Sequence, residues 1–161
     1  MLWVTNHIVP AQEHFASYII QNKIIARTGA LPVADPQQPA IVLFTPEGEH
    51  HELPLLFIHY LLRKYGWNTV YLGSNVTMNT LKQLQATRSA SYFYLHLITN
   101  FTGFLIDDYL ETLCHAFPDK KIIASGAATL AMQRQLVQVT VLQTDDAIYR
   151  FIRNRDHLGN T

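Results

Sequence analysis

Short apolar runs alternate with helix-patterned segments along the chain from Ala40 onward. The runs are AIVLF (40–44), TVYLG (69–73), SYFYLHLI (91–98), KKIIASG (120–126) and VTVLQ (139–143). Continuous apolar runs of this length are typical of strands that are buried on both faces of a parallel sheet. The alternation predicts a doubly wound α/β fold with a flavodoxin-like, five-stranded parallel sheet in the order 2-1-3-4-5, although close relatives of that order share the pattern.

The N-terminal segment follows a different pattern. Pro10 suits a first helical position, and Gly29 and Pro32 suit a helix end. Between them, apolar residues recur at spacings of three to five, as in one amphipathic helix: Phe15, Tyr18, Ile19, Ile20, Ile24 and Ile25. A single helix cannot bury its own apolar face, so it docks on the sheet domain, pairs with another chain, or is the remnant of a larger helical bundle. We favour the remnant, with a partial helical cap at 1–30, a Pro-rich linker at 31–39 and an α/β domain at 40–161.

Composition narrows the possible functions. The 161 residues include 12 Lys and Arg and 12 Asp and Glu, so the net charge is zero, without the basic excess of a chain that binds nucleic acid by itself. Cys114 is the single cysteine, which excludes an internal disulfide and a cysteine metal cluster. No apolar run is long enough to span a bilayer. We therefore expect a soluble, cytoplasmic protein without a membrane partner.

Ionisable residues are concentrated in the loop after the first strand. Glu49, His50, His51 and Glu52 stand together between that strand and an apolar helix, where open α/β sheets bind ligands. One histidine could be an axial metal ligand or an acid/base group, with Glu49 or Glu52 fixing its tautomer. Alternatively, the loop is only solvated and Glu52 complements the helix dipole. A glycine-rich phosphate loop and a nucleophile elbow are both absent from the sequence, which argues against nucleotide binding and hydrolysis.

The stretch PEGEHHELPLLFIHYLLRKYGWNTVYLG resembles the start of the cobalamin-binding domain in MerR-type transcription regulators, including the light-sensing ones. Those domains carry a Glu-x-His-x-x-Gly loop, an apolar helix, Gly-Trp and a strand that ends in Tyr-Leu-Gly. Glu49, His51, Gly66, Trp67 and residues 71–73 match. The resemblance implies adenosylcobalamin or methylcobalamin as the cofactor, bound base-off. His51 would be the lower ligand of cobalt in place of the benzimidazole base, and Glu49 would accept the other imidazole proton.

A second motif lies upstream. Trp3, nine intervening residues, Glu13 and His14 resemble the Trp-x9-Glu-His signature of the light-sensing regulators. The resemblance implies that Trp3 covers the upper face of cobalamin and that Glu13 and His14 border its upper ligand. The family's His directly after the Trp is Val4 here, so a second histidine ligand by the usual route is not expected.

Other positions also depart from the family pattern. Pro54 replaces the loop glycine. The family has Ser-x-Leu at the end of the third strand, where the small serine lets the buried nucleotide tail pass, and here His96 or Leu95 takes that place. The paired glycines of the fourth strand correspond to Ser125 and Gly126. The resemblance implies that these two residues border the tail, while His96 either contacts the tail or is simply satisfied at a strand end.

The combined motifs predict a cobalamin-binding sensory domain of a transcription regulator, located between a helical cap and an α/β domain, with no turnover of its own. We expect self-association, and contact with DNA only through an N-terminal helix-turn-helix domain that this sequence does not include. One alternative is the cobalamin-carrying component of a mutase or methyltransferase. Another is an α/β interaction module that has lost the cofactor.

Overall fold

A computed structural model describes residues 9–99 and 105–154 of the chain. Trp3 and Val4 of the upstream motif lie outside the described residues. Within the described ranges, no helix combines the length and the apolar character that crossing a bilayer would require.

The described residues form a five-stranded parallel sheet with helices on both faces. The strands are β1 (Ala40–Pro46), β2 (Asn68–Val76), β3 (Tyr92–His96), β4 (Lys121–Ser125) and β5 (Val139–Leu142). The helices are α1 (Pro10–Gly29), α2 (Glu52–Lys64), α3 (Met78–Thr87), α4 (Ile106–Ala116) and α5 (Asp145–Arg153), and a short 3-10 helix (Ala127–Ala131) follows β4. The strand order β2-β1-β3-β4-β5, parallel throughout, confirms the predicted fold class.

Two apolar layers hold the sheet between its helices. Along β3, Phe93 and Leu95 pack on the side of α3 and α4, whereas Tyr92 and Tyr94 pack on the side of α2 and α5. Successive side chains of a strand point to opposite faces, so a strand covered on both faces must be apolar at every position. This requirement explains why the sequence shows continuous runs rather than an alternating pattern.

The strand order places the candidate loop at a crevice. β1 lies between β2 and β3, so the connections that leave β1 and β3 run to opposite faces of the sheet and separate at its carboxyl edge. The loop after β1 and the segment after β3 therefore lie side by side. Residues 47–51 and 97–99 form this edge.

The helix α1 forms as predicted, but a different face is docked. It packs against α2, and its buried and half-buried positions are Ala16, Ser17, Gln21, Ile24 and Thr28. Five large apolar side chains of the predicted stripe remain exposed: Phe15, Tyr18, Ile19, Ile20 and Ile25. The linker is tied to α2 because the Nη2 atom of Arg63 donates a hydrogen bond to the carbonyl oxygen of Pro32 at 3.1 Å. The proposed division into cap, linker and α/β domain stays a prediction.

Candidate functional site

The backbone of the loop after β1 is braced by hydrogen bonds to its neighbours. The Thr45 hydroxyl donates to the carbonyl oxygen of Glu49 at 2.6 Å, and the backbone N–H of Asn75 donates to that Thr45 oxygen at 3.1 Å. The Gly48 N–H in turn donates to the Asn75 side-chain oxygen at 2.9 Å. Gly48 and Asn75 both have positive φ, a conformation that glycine adopts freely and asparagine tolerates. The end of β2 thus fixes the path of the loop.

The carboxylate of Glu49 is buried, with 1% of the residue exposed, and is surrounded by donors. Its Oε1 atom accepts from the backbone N–H of His51 at 3.0 Å and lies 2.7 Å from the His51 Nδ1 atom. Its Oε2 atom accepts from the backbone N–H groups of Ile98 at 3.0 Å and Thr99 at 2.8 Å, and from the Thr99 hydroxyl at 3.0 Å. Within the described residues, five hydrogen bonds therefore converge on one side chain that joins the loop after β1 to the segment after β3.

These hydrogen bonds keep Glu49 ionised. Burial alone raises the pKa of the Glu49 carboxyl, but the hydrogen bonds from Thr99, His51 and Ile98 outweigh burial and lower that pKa from 4.5 to about 2. A carboxylate at Nδ1 favours the imidazole tautomer that carries its proton on Nδ1. The lone pair of His51 is then on Nε2, the nitrogen that can bind a metal.

The side chain of His51 lies at the mouth of the crevice. His51 is the N-cap of α2, yet its side chain makes no capping hydrogen bond and turns to Glu49 instead. The imidazole is 46% exposed, so a ligand can approach it from solvent. His50 is also exposed, and Pro54 lies in the first turn of α2, where its missing N–H has no intrahelical partner to lose.

Glu52, the other carboxylate that could have fixed the His51 tautomer, accepts hydrogen bonds from β2 instead. The Tyr71 hydroxyl donates to its Oε1 atom at 3.0 Å, and the Ser74 hydroxyl donates to its Oε2 atom at 3.4 Å. Gly73 has φ +82, and a Cβ atom there would lie 3.1 Å from the Glu52 Oε1 atom. Between the two alternatives that the sequence left open, the geometry selects Glu49 as the partner of His51.

The predicted tail-binding residues have partners within the chain. The hydroxyl oxygen of buried Ser125 lies 2.8 Å from the Tyr94 hydroxyl and 2.9 Å from the His96 Nδ1 atom. Burial lowers the pKa of His96, while Glu49 and Asp145 act in the opposite direction. This geometry matches a histidine satisfied at a strand end, which is one of the two interpretations of the sequence, and the tail contact stays a prediction.

The fold of this chain requires a glycine at position 126. Its φ of +99 is strained for any other residue, and a Cβ atom there would collide with the backbone of Leu97. The segment that follows β3 therefore occupies the space beside this glycine.

The upper-face residues are only partly described. Glu13 and His14 lie on α1, and both are exposed. Among the residues with described positions, neither is joined by a hydrogen bond to the Glu49–His51 pair, and Trp3 lies outside the described residues. The upper-face role of all three stays a prediction.

Sequence reasoning missed Ile98 and Thr99, which supply three of the five hydrogen bonds to Glu49. One signal was available. Thr99 directly follows the β3 segment, and the carboxyl ends of adjacent parallel strands meet at the switch point of such a sheet. A polar residue at that position was therefore a candidate neighbour of the loop after β1.

Among the residues whose positions are described, the donor set at this edge is one imidazole backed by one carboxylate. In the described part of the chain, no group of three or more His, Cys, Asp or Glu side chains is gathered as a metal site. A single imidazole suits a metal ion that already carries most of its ligands from another molecule.

Two solved structures with the same fold come from cobalamin proteins. A cobalamin-binding protein from Desulfitobacterium hafniense DCB-2 superimposes with a TM-score of 0.51 and 20% identity, over 95% of this chain and 73% of that chain. The methanol:cobalamin methyltransferase complex MtaBC from Methanosarcina barkeri superimposes with a TM-score of 0.56 and 16% identity, over 95% of this chain and 61% of that chain. The fold of this chain is therefore one that cobalamin-binding proteins use.

A curated relative gives the resemblance a particular direction. The chain is 35% identical over 72 residues to the HTH-type transcriptional repressor CarA of Myxococcus xanthus, which covers 45% of this chain and 25% of the repressor. The match confirms the similarity to a helix-turn-helix regulator that the sequence motifs indicated. No family model matches the chain.

Proposed function

We propose that this chain is a cobalamin-binding sensory domain of a transcription regulator, with His51 as the lower ligand of cobalt. The observation that carries the proposal is the Glu49–His51 pair, held at the carboxyl edge of the sheet with the imidazole exposed. The fold of the solved neighbours and the match to a transcriptional repressor support the same conclusion.

The residues at the crevice fit a corrin-bound cobalt ion. When bound, cobalamin would supply a cobalt ion that already carries ligands from the corrin ring, and His51 would hold it through one imidazole nitrogen. The ionised Glu49 carboxylate orients the ring of His51 and increases the donor strength of its Nε2 atom. The segment carrying Ile98 and Thr99 holds the carboxylate in place.

The remaining parts of the proposal concern the upper face and the partners. Trp3, Glu13 and His14 cover and border the upper ligand, which is adenosyl or methyl. The domain self-associates in the cytoplasm and reaches DNA through a helix-turn-helix domain that this sequence does not include. Similarity to a repressor, rather than to an enzyme, at 35% identity favours a sensor without turnover.

One observation favours a second candidate function. The MtaBC complex has the same fold, so the chain could instead carry cobalamin for a partner enzyme. The Trp-x9-Glu-His spacing supports the sensor over this carrier, because it resembles the light-sensing regulators.

A desalting experiment tests cobalamin binding. The protein is mixed with hydroxocobalamin or adenosylcobalamin, passed through a desalting column, and its corrin absorbance is recorded. We expect the wild type to retain the corrinoid and His51→Ala to lose it. His50→Ala is the matched control, because His50 is an exposed histidine on the same loop, and it should retain the corrinoid. Equal retention by His51→Ala, or no retention by the wild type, would contradict the proposal.

A further inference from the structure

The space beside the ends of β3 and β4 is filled by the chain's own side chains. The Ser125 hydroxyl has one hydrogen and two lone pairs, and it is completely buried. It donates to the carbonyl oxygen of Leu95 at 3.4 Å, and it can accept from both the Tyr94 hydroxyl and the His96 Nδ1–H. The hydroxyl is then fully used, and a ligand atom could reach it only by displacing Tyr94 or His96.

The backbone closes the same place from the other side. The Leu97 N–H donates to the Ser125 carbonyl oxygen at 2.8 Å, and the Ala128 N–H donates to the Leu97 carbonyl oxygen at 3.0 Å. Gly126 therefore provides no open cradle, because the missing Cβ leaves room for Leu97 rather than for a ligand. The segments that follow β3 and β4 are thus joined by backbone hydrogen bonds.

An aromatic cluster holds α5 over this region. The Tyr94 ring is fully buried, with its centroid 6.0 Å from that of Phe151 on α5. Phe151 stacks on Trp67 at 5.2 Å, and the Trp67 Nε1–H donates to the carbonyl oxygen of Ile152 at 2.9 Å. Separating α5 from the sheet would expose these rings and break this hydrogen bond, so a nucleotide would have to enter against packed apolar surface.

The residues that the family resemblance assigns to the nucleotide tail thus do not fit a buried tail, whereas the Glu49–His51 pair fits a lower ligand. We propose that this chain recognises the corrin ring through His51 and leaves the nucleotide tail outside the fold. Its ligand class is then corrinoids in general, including cobinamide, which lacks the nucleotide. The inference rests on the proposed binding of cobalamin.

Competition between two corrinoids tests the inference. Aquacobinamide and hydroxocobalamin are titrated into the full chain, and the dissociation constants are obtained from the corrin absorbance. We expect cobinamide to bind at least as tightly as cobalamin, because it has no benzimidazole for His51 to displace and no tail contact is lost. A preference for cobalamin greater than about threefold would overturn the inference.

A second measurement reports on the region directly. Hydrogen exchange of the backbone amides in α5 and at the end of β4 is followed with each corrinoid at saturation. We expect the same protection with both, since neither enters between α5 and the sheet. Altered exchange in these two elements with cobalamin alone would show an inserted tail and overturn the inference.

The titration separates this inference from the proposed function. If the chain binds cobalamin but not cobinamide, the inference is overturned and the proposed function stands. Binding of neither corrinoid overturns the proposed function, and the inference with it.

Discussion

The Nδ1 atom of His51 lies 2.7 Å from the Oε1 atom of Glu49. The second oxygen of the same carboxylate accepts hydrogen bonds from the segment after β3. Two connections that are distant in sequence therefore determine the orientation of one exposed imidazole. A metal bound at Nε2 would be affected by changes in either connection, because the orienting partner of a histidine ligand influences both its position and its donor strength.

Glu49→Gln should weaken corrinoid binding by about 10- to 100-fold, the range typical for loss of the partner that orients a metal-binding histidine. The amide would lack the negative charge. It would also place an NH2 group against backbone N–H groups that now donate hydrogen bonds to the carboxylate. Absorbance titration measures the affinity, and circular dichroism checks the fold. Glu47→Gln is the matched control, because Glu47 is an exposed carboxylate on the same loop. Equal weakening in both variants would contradict the assigned role of Glu49.

Thr99→Val should weaken binding less than the change at Glu49. It removes the hydroxyl that donates to Glu49 at 3.0 Å but keeps the backbone donor at 2.8 Å. We expect a loss in stability of about 1 kcal/mol, the usual contribution of one hydrogen bond, together with a smaller loss of affinity. Thr99→Ser keeps the hydroxyl and should restore both properties. A serine variant as weak as the valine variant would contradict this role of the hydroxyl, since serine keeps it.

Glu49 should also make stability depend on acidity. Its pKa is about 2 in the folded chain against an ordinary value of 4.5, so the unfolded chain binds more protons between these values. The stabilisation is complete above pH 4.5 and is lost as the pH falls from 4.5 through about 2. We expect about 2 kcal/mol from this group, less than the full shift would give, because the half-exposed His51 partner is screened by solvent.

Urea unfolding at pH 6 and pH 3 measures this dependence. Other carboxylates titrate in the same interval, so the informative quantity is the difference between wild type and Glu49→Gln. The variant should lose less stability between the two pH values. An identical loss in both proteins would show that the Glu49 carboxyl has an ordinary pKa.

Gly126→Ala should destabilise the fold by at least about 2 kcal/mol, since it combines a strained φ with a backbone collision at Leu97. Gly29→Ala is the matched control. A Cβ atom at Gly29 would meet nothing within 4 Å, so this change should leave stability unchanged or slightly raise it. Thermal unfolding followed by circular dichroism compares the two variants. A fold that tolerates Gly126→Ala would mean that the segments after β3 and β4 can separate.

Local pattern was enough to predict the sheet and its helices because burial on both faces imposes continuous apolar runs on the central strands of a parallel sheet, as in β1 and β3. The N-cap of α3 was also predictable from local sequence, because a threonine just before a helix can accept a hydrogen bond from an N–H of the first turn. The Thr77 hydroxyl does accept from the Thr80 N–H at 3.2 Å. The face of α1 was not predictable in this way. Helical spacing identifies an apolar stripe but not what covers it, and in α1, which packs on α2, the half-buried positions include Ser17 and Gln21.

The sequence by itself determined the class of fold, the position of Glu49 and His51 after the first strand, and the resemblance that links them to cobalt. Only the tertiary structure placed Glu52 against Tyr71, brought Thr99 to the Glu49 carboxylate across 50 residues, and paired Ser125 with Tyr94 and His96. The physical reason is the sequence separation between the interacting groups. Strand and helix patterns arise from neighbours along the chain, whereas the ionisation of a buried carboxylate and the closing of a crevice depend on donors and side chains that only the folded sheet brings together.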